Sequence, residues 1–223
     1  MQSVPKIATC EQNGADHFEE TYKLKLADPV DVPYLKLKRV FDLFFALILS
    51  IVALPIIGIA AIAIKMESAG PVFFHQVRVG LMGKRIVITK LRSMRTDAEK
   101  DGAQWASKND ARITRVGKFI RKTRIDELPQ LFSVIKGDIS LIGPRPERPE
   151  FTQLFSKKYP GFEQRLLIKP GLSGYAQVHG GYEIDPGQKA ALDMKYIKNV
   201  SLAMDARIFL RTIFIVISGD GAR

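Results

Sequence analysis

The strongest pattern in the chain is a run of apolar positions with nothing polar to interrupt it for long. Residues 43–64, LFFALILSIVALPIIGIAAIAI, hold no charged group over 22 positions, which is enough to enter the hydrocarbon of a bilayer. A helix that is apolar on every side does not suit the core of so small a domain, so the run is read as membrane-inserted. It starts too far from Met1 for a cleaved signal peptide and is therefore retained. Pro55 falls inside it and removes a backbone donor. The arms on either side have 12 and 9 residues; at roughly 1.5 Å per residue they reach about 18 and 14 Å, close to half of an approximately 30 Å core. Lys36, Lys38 and Arg39 precede the run and Lys65 follows it, and cationic flanks stay cytoplasmic. The pattern predicts a helix-break-helix hairpin over residues 36–66, broken at Pro55 and dipping into one leaflet, with a kinked full span as the alternative.

Past the apolar run the period changes. Val72–Arg78 and Arg85–Leu91 are β-leaning stretches joined through Gly80 and Gly83, and predict a hairpin. Residues 95–112 are polar and predict a loop. Ile113, Val116 and Ile120 recur at helical spacing among Arg112, Arg115, Lys118, Arg121, Lys122 and Arg124, a short basic amphipathic helix suited to a membrane surface. A helix is predicted from Glu150 to Tyr159, another from the Asp185-Pro186 start, and a last one capped by Ser201 and ended by Gly219, with Leu202, Ala206, Phe209, Leu210, Ile213, Phe214 and Ile217 on one face. Three parts result: a variable lead-in at 1–35, the membrane hairpin at 36–66, and an α+β, helix-rich catalytic body at 67–223.

Charge narrows the function. The 223 residues carry 34 Lys and Arg against 23 Asp and Glu, a net +11. Residues 1–39 balance at six of each sign, so the excess sits in the body. A basic body seeks phosphate as nucleic acid, anionic membrane or a phosphorylated substrate. No nucleic-acid module is visible and aromatics do not interleave with the basic cluster, which argues against nucleic acid. The single cysteine, Cys10, excludes internal disulfides and thiolate metal sites. His17, His75 and His179 show no ligand spacing, and no P-loop, GxSxG or GxGxxG occurs.

Covalent chemistry, if present, then falls to a carboxylate. Asp126-Glu127 in RIDELPQ opens a helix with Pro129 in its first turn, which a plain helix cap would also explain. Its surroundings favour chemistry: Arg121, Lys122 and Arg124 come before it, and the basic turn Gly143-Pro144-Arg145-Pro146 follows. Those cations predict an ionised aspartate and attract phosphate. Attack of an aspartate on phosphorus is established chemistry, and a divalent cation lets one anion approach another. Arg78, Lys90 and Arg92 are further phosphate-binding candidates, and Lys169-Pro170-Gly171-Leu172-Ser173-Gly174 is either a connector or a backbone anion cradle. A membrane scaffold in which the two acids only cap a helix is the non-enzymatic rival.

The apolar run with its proline, the SAGPVFF turn, KLRSM, RITRVGKFIRKTRIDELPQL, GDISLIGPRPERPEF, KPGLSGYAQVHG and the ending from Asp193 through Tyr196-Ile197-Lys198-Asn199 to Arg223 together resemble the bacterial sugar transferases, the small monotopic phosphoglycosyl transferases. The resemblance covers residues 36–223. It implies transfer of a sugar 1-phosphate from a UDP-sugar to undecaprenyl phosphate at the cytoplasmic face of the bacterial inner membrane, with release of UMP. It further implies Asp126 as nucleophile and Mg²⁺ ligand, Glu127 as its assistant, Arg145 as a phosphate clasp, a monotopic enzyme with a re-entrant helix, contact with membrane lipids and no nucleic acid; it leaves a homodimer open. Family members often carry Ser-Pro at the break, where this chain has Leu54-Pro55, with Ser50 one turn earlier as a substitute.

Overall fold

The computed structural model describes residues 26–100, 110–180 and 184–218. Cys10, His17 and most of the lead-in lie outside them. The first helix, α1 (Pro33–Glu67), begins with proline at its first turn, where a missing N–H costs nothing. It runs through Pro55 without ending. The break expected there is therefore not a helix terminus; the local cost is the hydrogen bond that Pro55 cannot donate. Nor does Ser50 stand in for the missing serine, because its hydroxyl is buried with no hydrogen-bond partner among the described residues.

One stripe of α1 is covered: Lys38, Asp42, Ala46, Ser50, Ala53, Ile57, Ala60 and Ile64. Their spacing of three and four residues is a single helical face, and its small residues let the body approach closely. The remaining faces expose large apolar side chains from Leu37 to Met66, with Ile51 72% and Ile59 71% accessible. Among the described residues this is the one helix long and apolar enough to cross a membrane.

The covered stripe touches the body at both ends. Near its start, Lys38 Nζ lies 2.6 Å from Asp205 Oδ2, and Asp42 accepts from Ser140 Oγ at 2.6 Å and the Leu141 N–H at 3.1 Å. Tyr34 and Tyr196 donate to the two oxygens of Asp205 at 2.7 and 2.8 Å. At its far end the Glu67 carboxylate accepts the N–H groups of Arg115 and Val116, at 2.7 and 2.9 Å. These are the first two amides of α2 (Arg115–Lys122), which have no partner within that helix.

After α1, strands β1 (Phe73–Val79) and β2 (Arg85–Leu91) form the expected antiparallel hairpin, paired from Phe73↔Leu91 to Val79↔Arg85. Ile86 and Ile88 face inward while Val87 faces out. Helix α2 is shorter than the pattern suggested: Thr114 caps it through Gly117 N, and Ile113 lies outside it, bridged to Met94. The reason is the pairing of Thr114 N and Arg95 N with backbone carbonyls across the loop. Helix α3 (Gln130–Lys136) ends at Gly137 in the left-handed region, and Arg39 donates to the carbonyls of Val134 and Ile135 in its last turn. Strands β3 (Ser140–Ile142) and β4 (Gly171–Ser173) pair in parallel, flanking helix α4 (Pro149–Lys158). The chain closes with α5 (Tyr175–His179), α6 (Pro186–Lys198), capped by Asp185 as expected, and α7 (Leu202–Ser218).

The α7 face that gathers Leu202, Leu210, Ile213 and Phe214 is the outer one. Asp205 and Ile208 are buried, whereas Leu202, Leu210, Ile213 and Phe214 are exposed, Phe214 by 68%. The inward stripe is set by the charge that Asp205 must pair, not by the largest apolar side chains.

The core lies between the second half of α1, β2, α2 and α3, where Ala53, Ile57, Ala60 and Ile64 meet Leu91, Ile120 and Leu131. Two glycines make opposite predictions. A methyl group at Gly117 would stand 2.0 Å from the Ser93 carbonyl oxygen, while at Gly58 it would meet nothing within 4 Å. Gly117→Ala should lower the melting temperature in detergent. Gly58→Ala should hold or raise it, by up to about 1 kcal/mol of helix propensity.

Candidate active site

The dyad sits on a short 3-10 turn, Ile125–Glu127, between α2 and α3. Arg124 enters this turn with φ 58°, a left-handed conformation uncommon for a residue with a side chain. That turn folds the chain back so that Ile125 and Leu128 pack against the α1, α2 and α3 core, leaving Asp126 and Glu127 between the hydrophobic anchors. Pro129 is then the N-cap of α3, one position before the first turn where the sequence pattern put it, because the two acids form their own 3-10 turn ahead of the helix.

The two acids are treated unequally. Glu127 Oε1 accepts Lys90 Nζ at 2.7 Å, and it also pairs with Arg145 Nη2. Arg145 Nη1 donates in turn to the Leu172 carbonyl at 3.4 Å. Burial alone would raise the pKa of Glu127, but Arg145 and Lys90 outweigh it and hold the group well below the usual carboxylate range. Asp126 is buried, and no described residue hydrogen-bonds its carboxylate. Burial pushes its pKa up to about 6; Lys90, Arg121 and Arg145 pull the other way and Glu127 adds to the rise. The neighbouring cations were expected to keep Asp126 ionised, and a pKa of about 6 leaves it mainly so at neutral pH. It is raised nonetheless, because the close cationic contacts go to Glu127 and desolvation dominates at Asp126.

Of the other residues singled out from the sequence, Lys90 and Arg145 reach the dyad. Arg78 stands one layer behind, with Nη1 donating to the Pro146 carbonyl at 3.1 Å and 3.8 Å from Glu147. Burial pushes its pKa down to about 10, against the pull of Glu147. Arg92 is placed elsewhere. It is buried and donates to the carbonyls of Ala69 and Ser68 at 2.7 and 2.8 Å and to Ser68 Oγ at 3.0 Å, so its visible work is to close the end of α1. Arg124 supplies the turn before the dyad. Pro55 lies within α1.

The glycine-rich stretch after Lys169 is not an anion cradle here. Gly171 N–H donates to the Pro144 carbonyl at 2.9 Å, and Gly143 N–H donates to the Ser173 carbonyl at 2.8 Å. A methyl group at Gly171 would stand 2.1 Å from Gly143 N. The small residues allow two backbones to touch, which brings the Arg145 loop alongside β4.

Sequence reasoning missed the charged layer under that loop. Glu147 is held by Lys189, Arg165 and Arg78, which overcome burial and bring its pKa to about 2. Arg165 Nη2 lies 2.5 Å from Asp193 Oδ2. The available signal was a lone arginine in the stretch Phe162–Ile168, where Leu166, Leu167 and Ile168 are apolar.

Among the described residues no three carboxylate, imidazole or thiol side chains gather as a metal site. The donor set that remains is the unpartnered carboxylate of Asp126, which fits Mg²⁺, since that ion takes one or two carboxylates and completes its shell with substrate phosphates and water. The arrangement leaves one buried carboxylate with no hydrogen-bond partner among the described residues, beside a neighbour that takes up two cations.

Comparison with known proteins agrees with this arrangement. Residues 33–219 match the family model described as bacterial sugar transferase. A Bacillus subtilis (strain 168) protein, provisionally named as an undecaprenyl-phosphate N-acetylgalactosaminyl 1-phosphate transferase, is 59% identical over 133 residues, covering 60% of this chain and 74% of its own. The UDP-N-acetylgalactosamine-undecaprenyl-phosphate N-acetylgalactosaminephosphotransferase of Aeromonas hydrophila is 47% identical over 85% of this chain, and the match spans 46% of that protein. The UDP-glucose:undecaprenyl-phosphate glucose-1-phosphate transferase of Caulobacter vibrioides is 41% identical, over 83% of this chain and 71% of its own. The chain belongs to the bacterial sugar transferase family.

Proposed function

We propose that this protein transfers a sugar 1-phosphate from a UDP-sugar to undecaprenyl phosphate and releases UMP. The general reaction follows the relatives' names; the observation that supports a covalent route is the division between a free, desolvated Asp126 and a Glu127 saturated by Lys90 and Arg145. In this reading an Asp126 carboxylate oxygen attacks the phosphorus that bears the sugar. The bond from that phosphorus to the bridging oxygen breaks, and UMP leaves with its electron pair. A phosphate oxygen of the lipid then attacks the same phosphorus, breaks the acyl-phosphate bond and returns the Asp126 carboxylate. Arg145 and Lys90 keep Glu127 ionised and offer positive charge to the diphosphate. Mg²⁺, when bound at Asp126, would supply charge neutralisation between carboxylate and phosphate. The product is a lipid-linked diphosphosugar, the first membrane intermediate of a surface glycan.

The same reading makes the protein monotopic. Both ends of the covered α1 stripe contact one body, through Asp205 at the start and the α2 amides at the end. A full crossing would carry that charged body into the bilayer with it, at a cost of several kcal/mol for each unpaired charge. The exposed α1 face, Phe119, Phe132 and the outer face of α7 then meet lipid, with the catalytic body on the cytoplasmic side of the inner membrane.

Three outcomes are expected. Asp126→Asn should abolish UMP release from every UDP-sugar that the unmodified protein accepts, measured with Mg²⁺ and undecaprenyl phosphate, while the variant stays in the membrane fraction; retained turnover would remove Asp126 from the nucleophile role. The second concerns stability. The folded protein binds the Asp126 proton more tightly than the unfolded chain, so ionisation subtracts stability as pH rises from about 4 through about 6, on the order of 2–3 kcal/mol once complete. Without added divalent cation, Asp126→Asn should therefore raise the melting temperature at pH 8 and leave it nearly unchanged at pH 4. Third, Cys10 should resist a membrane-impermeant maleimide added to intact spheroplasts and react after permeabilisation. Labelling in intact spheroplasts would place the lead-in outside and favour a full span.

A further inference from the structure

The loop that carries Arg145 cannot hold itself. Pro144 and Pro146 have no N–H to donate, so the loop is fixed through its carbonyl groups. Pro144 and Glu147 carbonyls accept backbone amides, from Gly171 and Val79, each at 2.9 Å. The other two accept arginines: Pro146 from the half-buried Arg78 at 3.1 Å, and Arg145 itself from Nη2 of the buried Arg165 at 3.0 Å. The catalytic clasp is thus secured from behind by a second arginine.

Arg165 is built to do this. It is 3% exposed. Its Nε and Nη2 meet Asp193 Oδ2 at 3.0 and 2.5 Å, its Nη1 lies 3.6 Å from Glu147, and its guanidinium sits 4.9 Å from the centre of the Phe162 ring. Neutralising Asp193 would need only one cation of any shape. Nη2 alone reaches both Asp193 and the Arg145 carbonyl, and it is held in that place by Nε on Asp193 and Nη1 toward Glu147, a three-nitrogen plane that the single ammonium of lysine lacks.

We propose that Arg165 is a positioning residue for the transfer reaction. It fixes the backbone of Arg145, and through it the guanidinium that Arg145 lays against Glu127. Asp193 and Phe162 orient Arg165 for that task, and Glu147 ties it to Arg78, which holds the next carbonyl. This rests on the reading of the protein as a phosphoglycosyl transferase.

The test is a double-mutant cycle on detergent-solubilised full-length protein, with radiolabelled UDP-sugar, Mg²⁺ and undecaprenyl phosphate, assayed for UMP. Arg165→Lys keeps the charge and loses the fork. It should lower kcat by about 10–100-fold with donor KM within about threefold, the scale expected when a reacting group is held slightly out of place. In an Arg145→Lys background the same change should cost less than about threefold, because the group it aims is already altered. Phe162→Leu, which removes the ring beneath the guanidinium, should show a smaller loss with the same dependence on Arg145, and serves if Arg165→Lys does not fold. Equal losses in both backgrounds, or full activity of Arg165→Lys, would overturn the positioning role while leaving the transferase reading in place. No UMP from unmodified protein with any donor sugar would overturn that reading and this inference with it.

Discussion

Everything in this molecule hangs on a buried charge at the foot of a greasy helix. Asp205 gathers Lys38, Tyr34 and Tyr196, and Asp42, one turn beyond Lys38, accepts from Ser140 and Leu141. Removing one partner of such a set strands a charge away from water, a loss of about 3–5 kcal/mol where it has been measured. Apolar packing alone would not fix the rotation or register of α1, because its uncovered faces are as apolar as much of its covered one. The ionic set does, and with the register fixed, Ala46, Ala53 and Ile57 fall opposite the body. From there follow the core beneath the dyad and the height of the dyad relative to the long apolar helix.

A similar use of charge, at shorter range, separates the two acids. Adjacent carboxylates in one protein environment would ordinarily share whatever cations are near. Here Lys90 from β2 and Arg145 from the proline-rich loop both converge on Glu127, while Asp126, on the turn entered by the left-handed Arg124, is buried and receives no hydrogen bond from a described residue. The first acid is left open because the second is kept occupied. Three distant segments must therefore be correctly placed for one carboxylate to be left alone.

Much of this was legible in the sequence, for reasons that differ by element. The hairpin, the Asp185 cap, the α4 span and the presence of a long apolar helix are local or strongly periodic, and local signals survive into the fold. The dyad with Lys90 and Arg145 was readable as a set of charges near a proline turn. What was not readable depends on contacts far apart in the chain. The arginine of KLRSM looks like a phosphate ligand until Ala69 and Ser68 carbonyls are found around it. The glycines after Lys169 look like a cradle until Gly143 is found against them. The outward face of α7 departs from the rule that the largest apolar side chains turn inward, because a buried Asp205 demands the opposite side. Ile113 sits at helical spacing, yet its neighbours pair across the loop instead.

The separation between Lys38 and Asp205, 167 residues, has a consequence during synthesis. At roughly 5–20 residues per second the ribosome needs on the order of ten to thirty seconds to travel from one to the other. The long apolar helix leaves the exit tunnel early, well before its counter-charge exists. During that interval Lys38 and Asp42, one helical turn apart, have only each other to pair with. The rotation of this helix against the body is therefore locked only when the last helix arrives.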